Sequence, residues 1–141
     1  MPYSSHRDDG ELFAHFHGDA VIDDFLGAME DFGKLDEDRS TSHSILDLTD
    51  IVTADLTIDE MHRFAATVRM LFPRTRVHRF AVVAPTTVTR TLVRDYIEVR
   101  NVLAIRPADG PNEVAVFSEV DDARRWATRA DEPPTPDEAW P

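Results

Sequence analysis

The chain of 141 residues contains no cysteine, which excludes disulfides, thiolate zinc sites and thiol nucleophiles together. Glycine is scarce, with five in all and none clustered, so neither a Walker phosphate loop nor a dinucleotide-binding glycine turn is encoded. No stretch approaches the ~18 uncharged apolar residues of a membrane span, and no signal peptide is read. A soluble, cytoplasmic protein is therefore expected. Lysine is all but missing, since of fifteen basic residues only Lys34 is not arginine. Acids are missing locally: Met61 through Arg94 holds no Asp or Glu.

What is present suits a single domain. Hydrophobic residues make up 42% of the chain, and its length allows a core without staples. Residues 1–130 are expected to form that domain. The stretch from Asp131 to Pro141 has four prolines and no periodicity, so an acidic, mobile tail is expected there. The net charge is -12, with Asp outnumbering Glu two to one. Such a surface fits a salt-loving source, and the Arg-for-Lys bias fits a GC-rich genome equally.

The acid-free segment carries Arg63, Arg69, Arg74, Arg76, Arg79, Arg90 and Arg94; setting these seven charges against the net -12 leaves -19 for the remainder. A basic patch on an acidic protein is expected, centred on Arg76, Arg79, Arg90 and Arg94. Arg69 and Arg74 are accounted for by the dipole at the end of a helix. Nucleic acid suits a chain of this charge poorly. An acidic protein, an anionic ligand or a second copy forming a homodimer suits it better.

The elements follow from pattern. Asp8-Asp9-Gly10 between extended arms signals a hairpin, and the second arm alternates Leu12, Ala14 and Phe16 with Phe13, His15 and His17. Asp19 opens a helix with Val21, Phe25, Met29 and Phe32 on one stripe, closed by Gly33. Lys34–His43 reads as a polar, insertion-tolerant loop. Ile45, Leu46 and Leu48 make a strand covered on both faces. Thr49–Leu56 is expected as a loop, and Thr57 with Glu60 forms a capping box for a second helix. That helix carries Met61, Phe64, Ala65, Val68 and Leu71 and ends by Pro73. Arg79–Ala84 is another buried strand. A third helix buries Val88, Leu92, Tyr96 and Val99, Glu113–Phe117 is the last strand, and Ser118 with Asp121 opens a final helix bearing Trp126. Trp126 is expected to be buried and Trp140 solvated. The order is hairpin–α–β–α–β–α–β–α, an α/β fold with a mostly parallel sheet, an N-terminal hairpin arm and four helices.

Three segments, Ile45–Glu60, the RFAVVA strand at Arg79–Ala84 and VFSEVDDARRWA at Val116–Ala127, resemble in order and spacing the STAS-like family, in particular its stand-alone SpoIIAA-like branch. In the anti-sigma factor antagonists of that family the strand–loop–helix unit places Asp-Ser at the helix start, and the Ser is phosphorylated. Here Asp55 holds the Asp position and Leu56 stands where the Ser would be. The resemblance implies a non-enzymatic regulatory module that works by protein contact through Asp50, Thr53, Asp55, Leu56 and Thr57, without the usual switch. It also admits a carrier of a small apolar or anionic, lipid-like ligand. A pocket lined by Phe64, Val68 and Tyr96 with an arginine at its mouth would point to the carrier, and a flat exposed loop to the module.

Other chemistry is weaker. His15 and His17 share a strand face and would need His6 or His43 to complete a metal site. Asp47, Asp50 and Asp55 have the oxygen ligands that suit Mg²⁺ or Ca²⁺, yet Asp50 and Asp55 also suit turns, and Asp55 a helix N-terminus. Ser42-His43-Ser44 holds the residue types of nucleophilic catalysis, but adjacency in sequence is not triad geometry. No metal, no cofactor and no catalytic residue is assigned, and an enzyme is the last of the three readings.

Overall fold

The computed structural model describes residues 2–71, 78–103 and 112–128. Nine elements follow one another: β1 (Tyr3–Asp8), β2 (Glu11–Ala20), α1 (Ile22–Leu35), β3 (His43–Ala54), α2 (Ile58–Leu71), β4 (His78–Val83), α3 (Thr87–Leu103), β5 (Asn112–Phe117) and α4 (Val120–Thr128). The strands lie side by side in chain order, β1-β2-β3-β4-β5. β1 runs antiparallel to β2, and every other neighbouring pair is parallel.

Strictly sequential order has a consequence for the layers. Each crossover steps to the next strand in the same direction, and right-handed crossovers then deposit their helices on one face. Accordingly α1 packs on α2 and α2 on α3, and all three share one core with Phe16, Leu46, Leu48, Phe80 and Val82. α4, which follows the last strand, packs on β3, β4 and β5 through a second core of Ile45, Ala81, Val83, Ala115, Phe117 and Trp126. Leu46 faces one core and Ile45 the other, so β3 is covered on both sides as its apolar run requires.

The hairpin turns at Asp9 and Gly10, with Asp8 opposite Glu11 and Asp9 in the left-handed region at φ 54°. The start of α2 agrees with its capping signal. Thr57 N–H donates to Glu60 Oε1 at 2.8 Å, and Glu60 N–H donates to Thr57 Oγ1 at 3.1 Å. Thr86 and Thr89 exchange the same pair of bonds, both at 3.1 Å, ahead of α3. At the last helix, the Ala123 N–H donates to the Glu119 carbonyl, so Glu119 rather than Ser118 precedes α4, which starts at Val120.

The first helix departs from expectation at both ends. Asp19 belongs to β2, which stays paired with β3 as far as Ala20 opposite Ala54, and the helix begins at Ile22 with the Asp24 carboxylate accepting the Val21 N–H at 3.0 Å. Gly33 lies inside α1 rather than closing it; a Cβ there would stand 3.1 Å from Leu71 Cδ2 of α2. Close helix approach, not termination, is what this glycine permits. The following loop is also less open than its composition suggests. Arg7 reaches across from β1 to Leu35 O and Asp38 Oδ1, both at 2.9 Å, and to the Ser40 hydroxyl. The Arg7 and Ser40 bonds hold the Asp38 carboxyl down at about 2.

Candidate functional site

The expected loop at Thr49–Leu56 is mostly strand. β3 continues to Ala54, leaving only Asp55–Thr57 between strand and helix. It continues irregularly. His15 pairs with Asp47 but His17 with Asp50, and Gly18 pairs with Ile51 but Asp19 with Thr53. At each of these two places β3 spends one residue more than β2, which makes a bulge. The apolar spacing records both, since Leu46, Leu48, Ile51 and Ala54 all meet the three-helix core at intervals of two, three and three residues. Gly18, at φ 75°, supplies the left-handed residue on the partner strand.

Bulges re-aim side chains, and the second one sends Val52 outward, where it is 67% exposed. Ile58 in the first turn of α2 is 66% exposed, and Val21 just ahead of α1 is 51% exposed. Because Ala20 is opposite Ala54, these three aliphatic residues gather at one end of the sheet, beside the starts of α1 and α2. Asp19, Asp23, Asp50, Asp55 and Asp59 are exposed around them. The surface therefore has an apolar centre and an acidic rim.

The predicted site residues of this segment are thus brought together. Asp50 Oδ2 lies 2.7 Å from His15 Nε2. Thr53 donates its hydroxyl to Asp19 Oδ1 at 2.6 Å. Asp55 is exposed, Leu56 is half-buried against the three-helix core, and Thr57 is committed to the capping box. Asp47 accepts the Thr49 N–H at 3.0 Å and its hydroxyl as well, both local bonds within β3. Among the described residues no group of three or more His, Asp or Glu side chains is arranged to hold a metal.

Of the arginines among the described residues, Arg79 does not belong to an exposed face. Arg79 is only 6% exposed. It donates to the Trp126 carbonyl at 2.7 Å, with its guanidinium carbon 4.7 Å from the centre of the Trp126 ring. As an alternating residue of β4 it points under α4, which no count of charges along the chain would reveal. Arg90 is half-buried and ties two strand ends together, donating to Ala84 O at 2.8 Å and Ser118 Oγ at 2.9 Å. Arg94 is exposed on α3. Arg76 lies outside the described residues, as do Trp140 and the tail.

Adjacent Ser42 and His43 are closer to a relay than their spacing implied. Ser42 Oγ lies 2.8 Å from His43 Nδ1, and His43 Nε2 lies 3.1 Å from Glu11 Oε1. Arg124 then grips Glu11 with two bonds, Nε to Oε1 at 3.0 Å and Nη2 to Oε2 at 2.9 Å. Burial pushes the Glu11 carboxyl up, and the Arg124 and His43 bonds more than reverse this, leaving it below its ordinary value. A carboxylate already neutralised by a bidentate arginine has little charge left with which to stabilise an imidazolium. The Ser42 N–H is bonded to Gly10 O, so it is not aimed at an oxyanion. The cluster joins β2, β3 and α4.

Between the sheet and helices α2 and α3 lie two apolar hollows of about 60 and about 40 Å³. Phe64, Val68 and Tyr96 line the smaller one, as a carrier would require, but no arginine lines either among the described residues. Both fall far below the ~300 Å³ at which pockets begin to take drug-sized ligands, so neither holds a lipid chain in this arrangement.

No protein-family profile matches the chain, and neither the curated proteins nor the solved structures return a match.

Proposed function

We propose that the chain is a non-enzymatic, STAS-like regulatory module of the SpoIIAA-like kind, which binds a protein partner at the bulged end of β3 and the starts of α1 and α2. The observation that carries this reading is the exposure of Val52, Ile58 and Val21 around that end. Scattered exposed aliphatics are ordinary, but a cluster rimmed by polar groups is how protein contact sites are marked. Two successive bulges, conserved in shape by the burial of Ile51 and Ala54 behind them, fix Val52 outward.

Charge complementarity sets the partner. An acidic partner was suggested by four arginines on one face, of which Arg79 is buried under α4 and Arg90 is tied to two strand ends. The rim of the aliphatic cluster is acidic, so the partner has an apolar centre surrounded by Lys or Arg. Leu56 removes the hydroxyl that a kinase would use at that position. Phosphate on Thr57 would place a dianion against Glu60 and break the capping box, and on Thr53 it would face Asp19. Binding is therefore constitutive with respect to these positions.

The double variant Val52→Asp with Ile58→Asp tests the reading. Exposed changes of this kind stay within ~0.5 kcal/mol of wild-type stability. A partner captured by proximity labelling in cells with wild type should disappear with the variant, whose circular dichroism should be unchanged. Equal capture by both proteins would refute it.

A further inference from the structure

The two hollows share four residues of their walls, Leu46 and Val82 from the sheet and Phe64 and Tyr96 from α2 and α3. The shared rings stand edge to face, with centroids 5.2 Å apart at 70°. They separate two lobes of one apolar space. Protein interiors hold few voids larger than a water molecule, and a void with no polar partners stays dry. A space of this kind is consequently a place where an apolar molecule gains contacts that the protein alone leaves unmade.

Its walls differ in kind. Most come from strands and helices, whereas Leu56 belongs to the short irregular link between β3 and α2. Leu56 is half-buried, with exposed Asp55 and Thr57 on either side. The larger lobe is already partly open, and a rotation of this one link would widen it.

We propose that the paired hollows are a binding site for a small, uncharged, apolar molecule no larger than a single ring, with Leu56 as its movable wall. The chemistry follows from the lining, which is hydrocarbon and aromatic and offers a charged group nothing to offset desolvation. The size follows from the volumes. A dry cavity of ~150 Å³ accepts benzene or xenon, and the larger lobe is well under half of that. One lobe takes at most a monatomic probe; a ring requires the Phe64–Tyr96 pair to part and the joined lobes, still smaller than such a cavity, to widen as Leu56 moves. This site does not rest on the docking surface proposed above, with which it shares only Leu56.

The experiment uses the full chain with labelled Leu, Val and Met methyl groups, xenon and benzene as probes, and methyl NMR as readout. Saturable shifts are expected at Leu46, Leu48, Leu56 and Val82, with Ile45 and Val83 on the α4 face as silent controls once Ile is labelled too. Val82→Phe fills the floor shared by both lobes and should abolish the response. If that variant does not fold, Leu56→Trp, made on the half-exposed link, closes the site from outside and should weaken benzene by about tenfold or more. Val52→Asp with Ile58→Asp should bind benzene as wild type does, which separates this site from the docking reading. Shifts that never saturate, that spread equally to Ile45 and Val83, or that persist in the filled variant would overturn the proposal.

Discussion

The two faces of the sheet are packed on different principles. On the α4 face many residues are small, with Ala81, Ala115, Ala123 and Ala127 packed around the rings of Trp126 and Phe117. Polar groups there are locked in place, Arg79 beneath Trp126 and Glu11 between His43 and Arg124. On the three-helix face the residues are large, including Phe16, Phe25, Phe32, Phe64 and Phe80, and they leave two hollows. Small residues let a nine-residue helix sit close and fill the space; big rings and branched chains from three helices do not interlock completely. One face gives fixity and the other leaves room.

The largest test of this contrast is Trp126→Ala. The ring is 2% exposed, contacts Phe117 at 5.7 Å between centroids, and roofs Arg79. Its loss should cost ~3–5 kcal/mol and leave a buried guanidinium without its cover. Thermal or urea unfolding followed by circular dichroism measures this, and an unchanged midpoint would remove α4 from its role as the rigid layer.

The Glu11 cluster should contribute less, and in a pH-dependent way. Its folded carboxyl titrates below the ordinary value of 4.5, so ionised Glu11 favours the folded state. That stability is fully present above the unfolded pKa and is lost as pH falls through the folded one, a window lying below about pH 4.5. Glu11→Gln should remove this part of the acid sensitivity and cost ~1–2 kcal/mol at pH 7, since Arg124 is 45% exposed and keeps its solvation. Unfolding curves of both proteins from pH 7 down to pH 3 should converge at the acid end. Curves that stay parallel would mean the cluster is not linked to folding through Glu11.

The layering of helices was legible in sequence because amphipathic stripes and capping residues act locally: Thr57 and Glu60 announce α2, and the run at Ile45 to Leu48 announces a strand buried on both sides. What was not legible depends on partners distant along the chain. Asp19 looks like a helix cap until Ala54 pairs with Ala20 and keeps the strand going. The bulges left a trace, the three-residue steps from Leu48 to Ile51 to Ala54, but those steps resemble helical spacing and were masked by a polar composition that read as loop. Arg79 looked like surface charge because period-two alternation says which residues share a face, not that α4 covers it. The Ser42–His43–Glu11 contacts required the β2–β3 register, in which Glu11 lies opposite His43.

A pair of substitutions that includes the smallest expected effect bears on the contrast most directly, because it compares one added bulk on each face. Val82 lines both hollows, while its neighbour Ala81 is fully buried against α4. Val82→Ile adds a methylene where space exists and should stabilise by ~0.5–1 kcal/mol, the usual yield of filling a cavity. Ala81→Val adds two carbons where none exists and should destabilise by ~1–3 kcal/mol, because overpacking forces side chains off their rotamers or moves the helix. The sign, not the size, decides the matter. If unfolding midpoints shift the same way in both variants, the two faces are packed alike, and the hollows are ordinary gaps rather than a reserve of space. Opposite shifts, together with loss of the benzene response in Val82→Phe, would tie that space to one face of the sheet and to the single link at Leu56 that can open it.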